Sequence, residues 1–298
     1  MLRLKFGPFV EANWNHPMNT AGFNGACREF GVEVVTDNED VIFQDIHYCL
    51  GEIDRPTIVF DRHDTSRVTP VALSVESNPH VLGYCLPLLA KQPELSIAKH
   101  IYNGGVEYPF PVKPVRVVST MLWNRMFQAW TRSIEIPQKT IRASFCGTVH
   151  YPSVPFTQNH RRQMMDHWPV EKTFAMFNGV RHYYFNEQQQ FEFIRRSRVV
   201  VSPWGVCEVS IRDYEAVMGC AMMVTPWQAD MTINCNPWHE RNTVYCEPDF
   251  SDLHEAISKA EDMYDEGFLR SLSRGMIEEG DDISKFAQQF CESVKCFM

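Results

Sequence analysis

The sequence predicts an α/β protein built as two Rossmann-like domains facing each other across a cleft. Three observations lead there. Strand-length apolar runs, rich in β-branched and aromatic residues and bounded by Gly, Pro, Asn or Asp, alternate with helical or loop stretches. These runs lack clean polar alternation, as strands of a mostly parallel sheet covered on both faces do. The alternation also runs through the chain twice, and 298 residues suffice for two domains of ordinary size.

In the first series "LRLKFGPFV", "VEVVT", "DVIFQDI", "PTIVFDRHD" and "HVLGYCL" read as strands, and "MNTAGFNGACREFG" as a loop leading into a helix closed by Gly31. Residues 113–140 mark the change of domain, with a strand, an aromatic-rich helix and a Pro-containing passage. The second series takes "TIRASFCGT", a helix over 157–168, "TFAMFNG", a helix around 187–196, "RVVVSP", a short helix, "AMMVTP" and "NTVYCEP". A helix from Ser251 follows, with Ser251 as its N-cap and Leu253, Ile257 and Ala260 at helical spacing. The expected division is 1–130, 131–280, and a final helix in 281–298 packing back toward the first domain.

Composition narrows the functional classes. With 44% hydrophobic and 22% charged residues the chain has the make-up of a soluble globular protein. A net charge of −9 disfavours a broad nucleic-acid or anionic-membrane surface, while leaving room for one basic pocket. No apolar run reaches membrane-span length and the N-terminus lacks a signal-peptide core, so a cytoplasmic protein is expected. Ten cysteines stand without a CxxC pair, which fits reduced buried thiols and offers no zinc site.

The informative stretch is "SPWGVCEVSIRDYEAVMGCAMMVTP", Ser202 to Pro226, which joins two strands through one short helix. In parallel sheets ligands bind beyond the C-terminal strand ends. A helix capped by Ser210 aims free backbone N–H groups there, an arrangement that attracts anions and above all a diphosphate. Arg212 adds a guanidinium fork, Glu215 a carboxylate suited to two ribose hydroxyls, and Pro203 and Gly205 let the backbone pass close to a ligand. A plainer reading also stands: Arg212 and Glu215, at i and i+3, as a mere ion pair, and Glu208 as a helix-start acid.

The pattern S-x-x-G…S-x-R-x-Y-E-A-x-x-x-G-C, followed by an apolar strand and Pro, resembles the C-terminal half of exostosin-like glycosyltransferases. Ser202, Gly205, Ser210, Arg212, Tyr214, Glu215, Ala216, Gly219, Cys220 and Pro226 carry it. The resemblance extends weakly back through "SFCGT" with Arg161 and Arg162, and forward through "NTVYCEPDFSDLHEAI". It implies GT-B architecture: a nucleotide-sugar donor bound by the C-terminal domain, an acceptor glycan by the N-terminal one, and no catalytic metal or other cofactor. It assigns Ser202, Gly205, Ser210, Arg212 and Glu215 to the donor, with Gly147 and Thr148 beside the diphosphate and Arg161 as a further contact. UDP is the implied nucleotide. Retaining enzymes of this architecture often place seven residues between two glutamates; six lie between Glu208 and Glu215, so Glu208 is not carried over. Animal and plant exostosins are membrane-anchored; a cytosolic version without an anchor is expected here.

An inverting transfer needs a base from across the cleft. Acids and histidines cluster at three first-half strand ends: "FVEANWNH", "FQDIHY" with Asp45 and His47, and "FDRHDTSR". Asp64 ranks first, then Glu11, then His63, each with an ordinary loop cap or salt bridge as its alternative role. Trp14 and Trp204 suit either sugar stacking or packing. Rival functions are a fucosyltransferase-like enzyme using a GDP-sugar and a non-catalytic nucleotide-sugar or glycan binder. An epimerase would want a G-x-G-x-x-G turn after its first strand, where the chain has "GPFVEANWNH".

Overall fold

The computed structural model describes residues 1–7, 21–45, 53–60, 77–86, 88–91, 115–117, 136–149, 154–169, 174–178, 187–205, 208–227, 231–233 and 235–298. Two parallel sheets organise them. The first holds β1 (Leu2–Phe6), β2 (Val32–Val34), β3 (Val41–Asp45), β4 (Thr57–Phe60), β5 (Val81–Leu86) and, after β6 (Leu88–Ala90), β7 (Val115–Val117). Its order is β2-β1-β3-β4-β5-β7. The second holds β8 (Ile141–Gly147), β9 (Phe174–Asn178), β10 (Ser197–Val201), β11 (Met222–Pro226) and, after β12 (Met231–Ile233), β13 (Thr243–Cys246). Its order is β13-β11-β10-β8-β9.

Counted from its own first strand, the first sheet has the order 2-1-3-4-5-6 and the second the order 2-1-3-4-5, both of the doubly wound kind, and every pairing within both is parallel. The expected α/β class and its two Rossmann-like sheets are therefore present. The strand sequences explain the parallel arrangement. All four residues of β4 and all five of β11 are buried, which requires cover on both faces.

Seven helices are described: α1 (Ala21–Glu29), α2 (Pro155–Asp166), α3 (Glu187–Arg195), α4 (Ile211–Met218), α5 (Leu253–Asp262), α6 (Glu266–Asp281) and α7 (Ile283–Lys295). Helix α1 ends where Gly31 adopts φ +76°, a conformation that favours glycine. Helix α2 starts two residues before the expected position because Pro155 opens it. The N-cap position of helix α5 is Asp252, not Ser251, whose N–H donates to the Asp249 carboxylate two residues earlier. Helix α6 goes beyond the expected elements. Asp265 caps it by accepting from Phe268 N at 3.0 Å, and Asp282 separates it from α7 by accepting from Lys285 N at 2.9 Å. The aromatic-rich helix expected within 118–135 lies outside the described residues.

The first core gathers Leu4, Phe6, Phe23, Val41 and Phe43 with Phe286, Phe290 and Val294 from α7. The last helix of the chain thus packs with the first sheet. The second core joins Phe145, Val199, Val201, Met222 and Val224 to Phe250, Leu253 and Ile257. A further tie lies at the C-terminal ends of both sheets, where β6 and β12 form a two-stranded antiparallel ribbon with Leu89 opposite Thr232. Among the described residues no helix is long and apolar enough to cross a membrane.

Candidate donor site at the end of the second sheet

In the second sheet β8 leads through α2 to β9 on one side, and β10 leads through α4 to β11 on the other. Between the C-terminal ends of β8 and β10 the connections diverge and leave a crevice, the usual ligand position in such folds. Gly147 ends β8 and Thr148 follows it, Ser202 and Gly205 follow β10, and Ser210, Arg212 and Glu215 come with α4. The structure therefore gathers seven of the eight expected donor residues at or beyond the C-terminal ends of β8 and β10.

Arg212 holds the centre. Its guanidinium lies 4.9 Å over the Phe145 ring, and Nε donates to the Cys146 carbonyl at 2.6 Å. It reaches so close to β8 that a Cβ at position 147 would fall 2.3 Å from Nη2, which is why residue 147 is glycine. Although only 6% of the residue is exposed, Nη1 has no hydrogen-bond partner among the described residues. A buried cationic donor left in that state is costly, and a bound anion would relieve it. Arg212 is not paired with Glu215, so the simple i, i+3 ion pair is excluded. Burial pushes the neighbouring Cys146 thiol up to about 12, the Arg212 charge pulling the other way, so Cys146 stays protonated at neutral pH.

Ser210 is the N-cap of α4, and Asp213 closes a capping box by accepting from Ser210 N at 2.6 Å. Asp213 also accepts from Ser202 Oγ at 2.5 Å. Ser202 and Ser210 are thus engaged with a carboxylate that itself occupies part of the helix N-terminus. Burial raises Asp213 to about 6, against the bonds from Ser202 and Ser210 and the charge of Arg212. The S-x-x-D spacing of Ser210 and Asp213 was the sequence signal for this acid.

Glu215 is 2% exposed, and Gln190 Nε2 of α3 donates to both of its oxygens, at 3.2 and 3.4 Å. Gln190 gives no local signal in the sequence. Glu208 is buried as well. Beneath the loops, Thr157 Oγ1 donates to the Gly205 carbonyl at 2.7 Å, and Arg161 Nη1 donates to the Thr148 carbonyl. Arg161 is therefore a buried residue holding the β8–α2 turn, whereas Arg162 is exposed.

His160, absent from the sequence expectations, lies flat against Trp204, with ring centroids 4.4 Å apart and planes at 14°. Burial lowers it to about 4, so it is neutral, and Nε2–H donates to the Pro248 carbonyl at 3.1 Å. Trp204, itself partly exposed, stacks on Phe156 and His160. Asp45 is buried at the end of β3. The expected catalytic residues Asp64, Glu11 and His63 lie outside the described residues, as do Trp14 and His47.

No protein-family model and no curated protein matches the chain. Among solved structures, the HepE protein of Anabaena in complex with UDP is similar at 10% identity, with 99% of this chain and 100% of that chain covered and a TM-score of 0.48. Sucrose-phosphate synthase from Thermosynechococcus elongatus is similar at 9% identity over 99% of each chain, with a TM-score of 0.46. A glycosyltransferase of avilamycin A biosynthesis, AviGT4, is similar at 12% identity over 99% of this chain and 97% of that chain, with a TM-score of 0.44. None of these three is described as exostosin-like.

Proposed function

We propose that the chain is an exostosin-like glycosyltransferase of GT-B type, using residues 131–280 to bind a nucleotide-diphosphate sugar, UDP-sugar foremost, and residues 1–130 to bind a glycan acceptor. The observation that carries this reading is the buried Nη1 of Arg212, unpartnered among the described residues, at the crevice between β8 and β10. A diphosphate supplies the oxygen this donor lacks, and charge-assisted bonds are the strong ones. As the sugar leaves, negative charge grows on the diphosphate, and a guanidinium already fixed by Cys146 O and Phe145 stabilises it without rearranging. Gly147 and Thr148 border the same oxygens. Glu215, steadied by Gln190, accepts from the ribose hydroxyls.

The acceptor hydroxyl attacks the anomeric carbon from the opposite face. A first-domain base takes its proton, Asp64 before Glu11 and His63, giving inversion without a metal. Calorimetric titration with UDP, GDP, CMP and their sugar conjugates in EDTA tests the donor assignment. UDP binding is expected, weakened at least tenfold in both Arg212→Ala and Glu215→Ala, with circular dichroism confirming that each variant folds. Undiminished binding in both variants moves the donor elsewhere. Preference for GDP selects the fucosyltransferase-like reading, and donor binding without transfer to any glycan leaves a binding protein.

A further inference from the structure

The opposite end of the second sheet, where β8, β10 and β11 begin, carries a cavity of about 380 Å³ between α3 and α6. That volume suits a small organic molecule. Phe191, Met218 and Ile277 give it apolar walls, while Arg195, Arg270 and Arg274 line it with one acidic residue among the described ones, Glu278. The spacing explains the convergence. Phe191 and Arg195 stand one turn apart on α3, and Arg270, Arg274 and Glu278 one turn apart along α6.

The charges of Arg270 and Arg274 are incompletely neutralised among the described residues. Arg195 pairs with Glu192, and Arg270 with Glu266, whose side chain is 50% exposed, where water and salt screen the pair. Arg274 has no carboxylate partner among the described residues. Lys139 adds a fourth cation beside Arg195 and Arg270, its Nζ donating to the carbonyls of Arg195 and Gly219 at 2.8 and 2.6 Å. This positive, partly apolar hollow stands out against the net charge of −9 of the whole chain.

We propose that this cavity is a second anion site, separate from the crevice at Arg212, which takes a small organic phosphate with an apolar body. The guanidiniums of Arg274 and Arg270 grip the phosphate oxygens as forks, and the apolar body lies on Phe191, Met218 and Ile277. Met218 closes the helix whose first turn carries Arg212, so the ligand touches the element that forms the other site from its far end.

Phenyl phosphate is the probe, titrated calorimetrically against the full chain beside inorganic phosphate and phenol. Saturable binding is expected, at least tenfold tighter than for inorganic phosphate or phenol alone. Arg274→Glu should weaken it at least tenfold, while Arg162→Glu, on an exposed face of α2, leaves it unchanged. Binding should persist in Arg212→Ala and in saturating UDP. Absence of saturable binding, indifference to Arg274→Glu, or displacement by UDP each overturns the proposal. Because the Arg274 comparison involves no nucleotide, its outcome is independent of the donor assignment.

Discussion

A methyl group at position 147 would stand where Arg212 Nη2 now lies, 2.3 Å from that atom and 3.0 Å from Phe145 Cζ. Neither neighbour has free room, since Arg212 is fixed to Cys146 O and the ring of Phe145 sits beneath it. Gly147→Ala therefore drives the guanidinium off its carbonyl and leaves a buried charge with less compensation. The expected loss is about 2 kcal/mol of stability, the scale of one charge-assisted hydrogen bond. Urea unfolding measures it, and UDP titration of the same variant should show weaker binding. A variant as stable as the wild type would mean that Arg212 has another resting place.

At the scale of the element, α4 depends on an acid that is awkward to bury, and α2 on a histidine of the opposite kind. Asp213 holds its proton up to about 6 when folded, against 3.8 ordinarily. Between these values the folded state binds more protons than the unfolded chain, so this group makes stability fall as pH rises from about 4 to 6. His160 drops from 6.5 to about 4 on folding, so there the unfolded chain binds more protons and stability rises with pH from about 4 to 6.5. The two slopes oppose each other, each at most about 1.4 kcal/mol per pH unit. Asp213→Asn keeps an acceptor for Ser210 N and leaves His160 acting alone. Its stability relative to wild type should climb between pH 4 and 6, while that of His160→Phe should fall. Denaturant unfolding at pH 4, 5, 6 and 7 reads both, and parallel curves for all three proteins would contradict the assignment. The sequence conveys such elements unevenly. Runs like "RVVVSP" and "AMMVTP" state their burial directly, and Ser210 announces its cap. The ribbon of β6 and β12 stayed hidden because three-residue strands have no periodicity to read, their pairing being set by two distant segments meeting. Gln190 and His160 were illegible for a related reason: their roles come from Glu215 and Trp204, which lie on other elements.

For the whole molecule, the order of the chain and the order of its cores differ. Helix α7 ends the sequence, yet Phe286, Phe290, Cys291 and Val294 sit in the core of the first sheet. The Phe290 ring centroid lies 5.1 Å from that of Phe43 and 5.4 Å from that of Phe23, and Phe286 lies 5.2 Å from Phe23. The amphipathic spacing of α7 shows that the helix needs a partner surface but cannot name it, since the partner residues lie more than two hundred positions earlier. Losing two buried phenylalanines costs roughly 6–10 kcal/mol, comparable to the whole stability of an ordinary domain. A chain truncated after Asp282 should therefore lose its first sheet. The second core contains no residue of α7, so β8, β10 and β11 have no direct reason to follow. Hydrogen exchange should then show rapid exchange in β1, β3 and β4 with protection retained in β8, β10 and β11. Equal loss in both sheets would mean that the ribbon of β6 and β12 and the other links between the halves make them a single cooperative unit. Retained protection in the first sheet would mean that Phe286 and Phe290 contribute far less than their burial indicates.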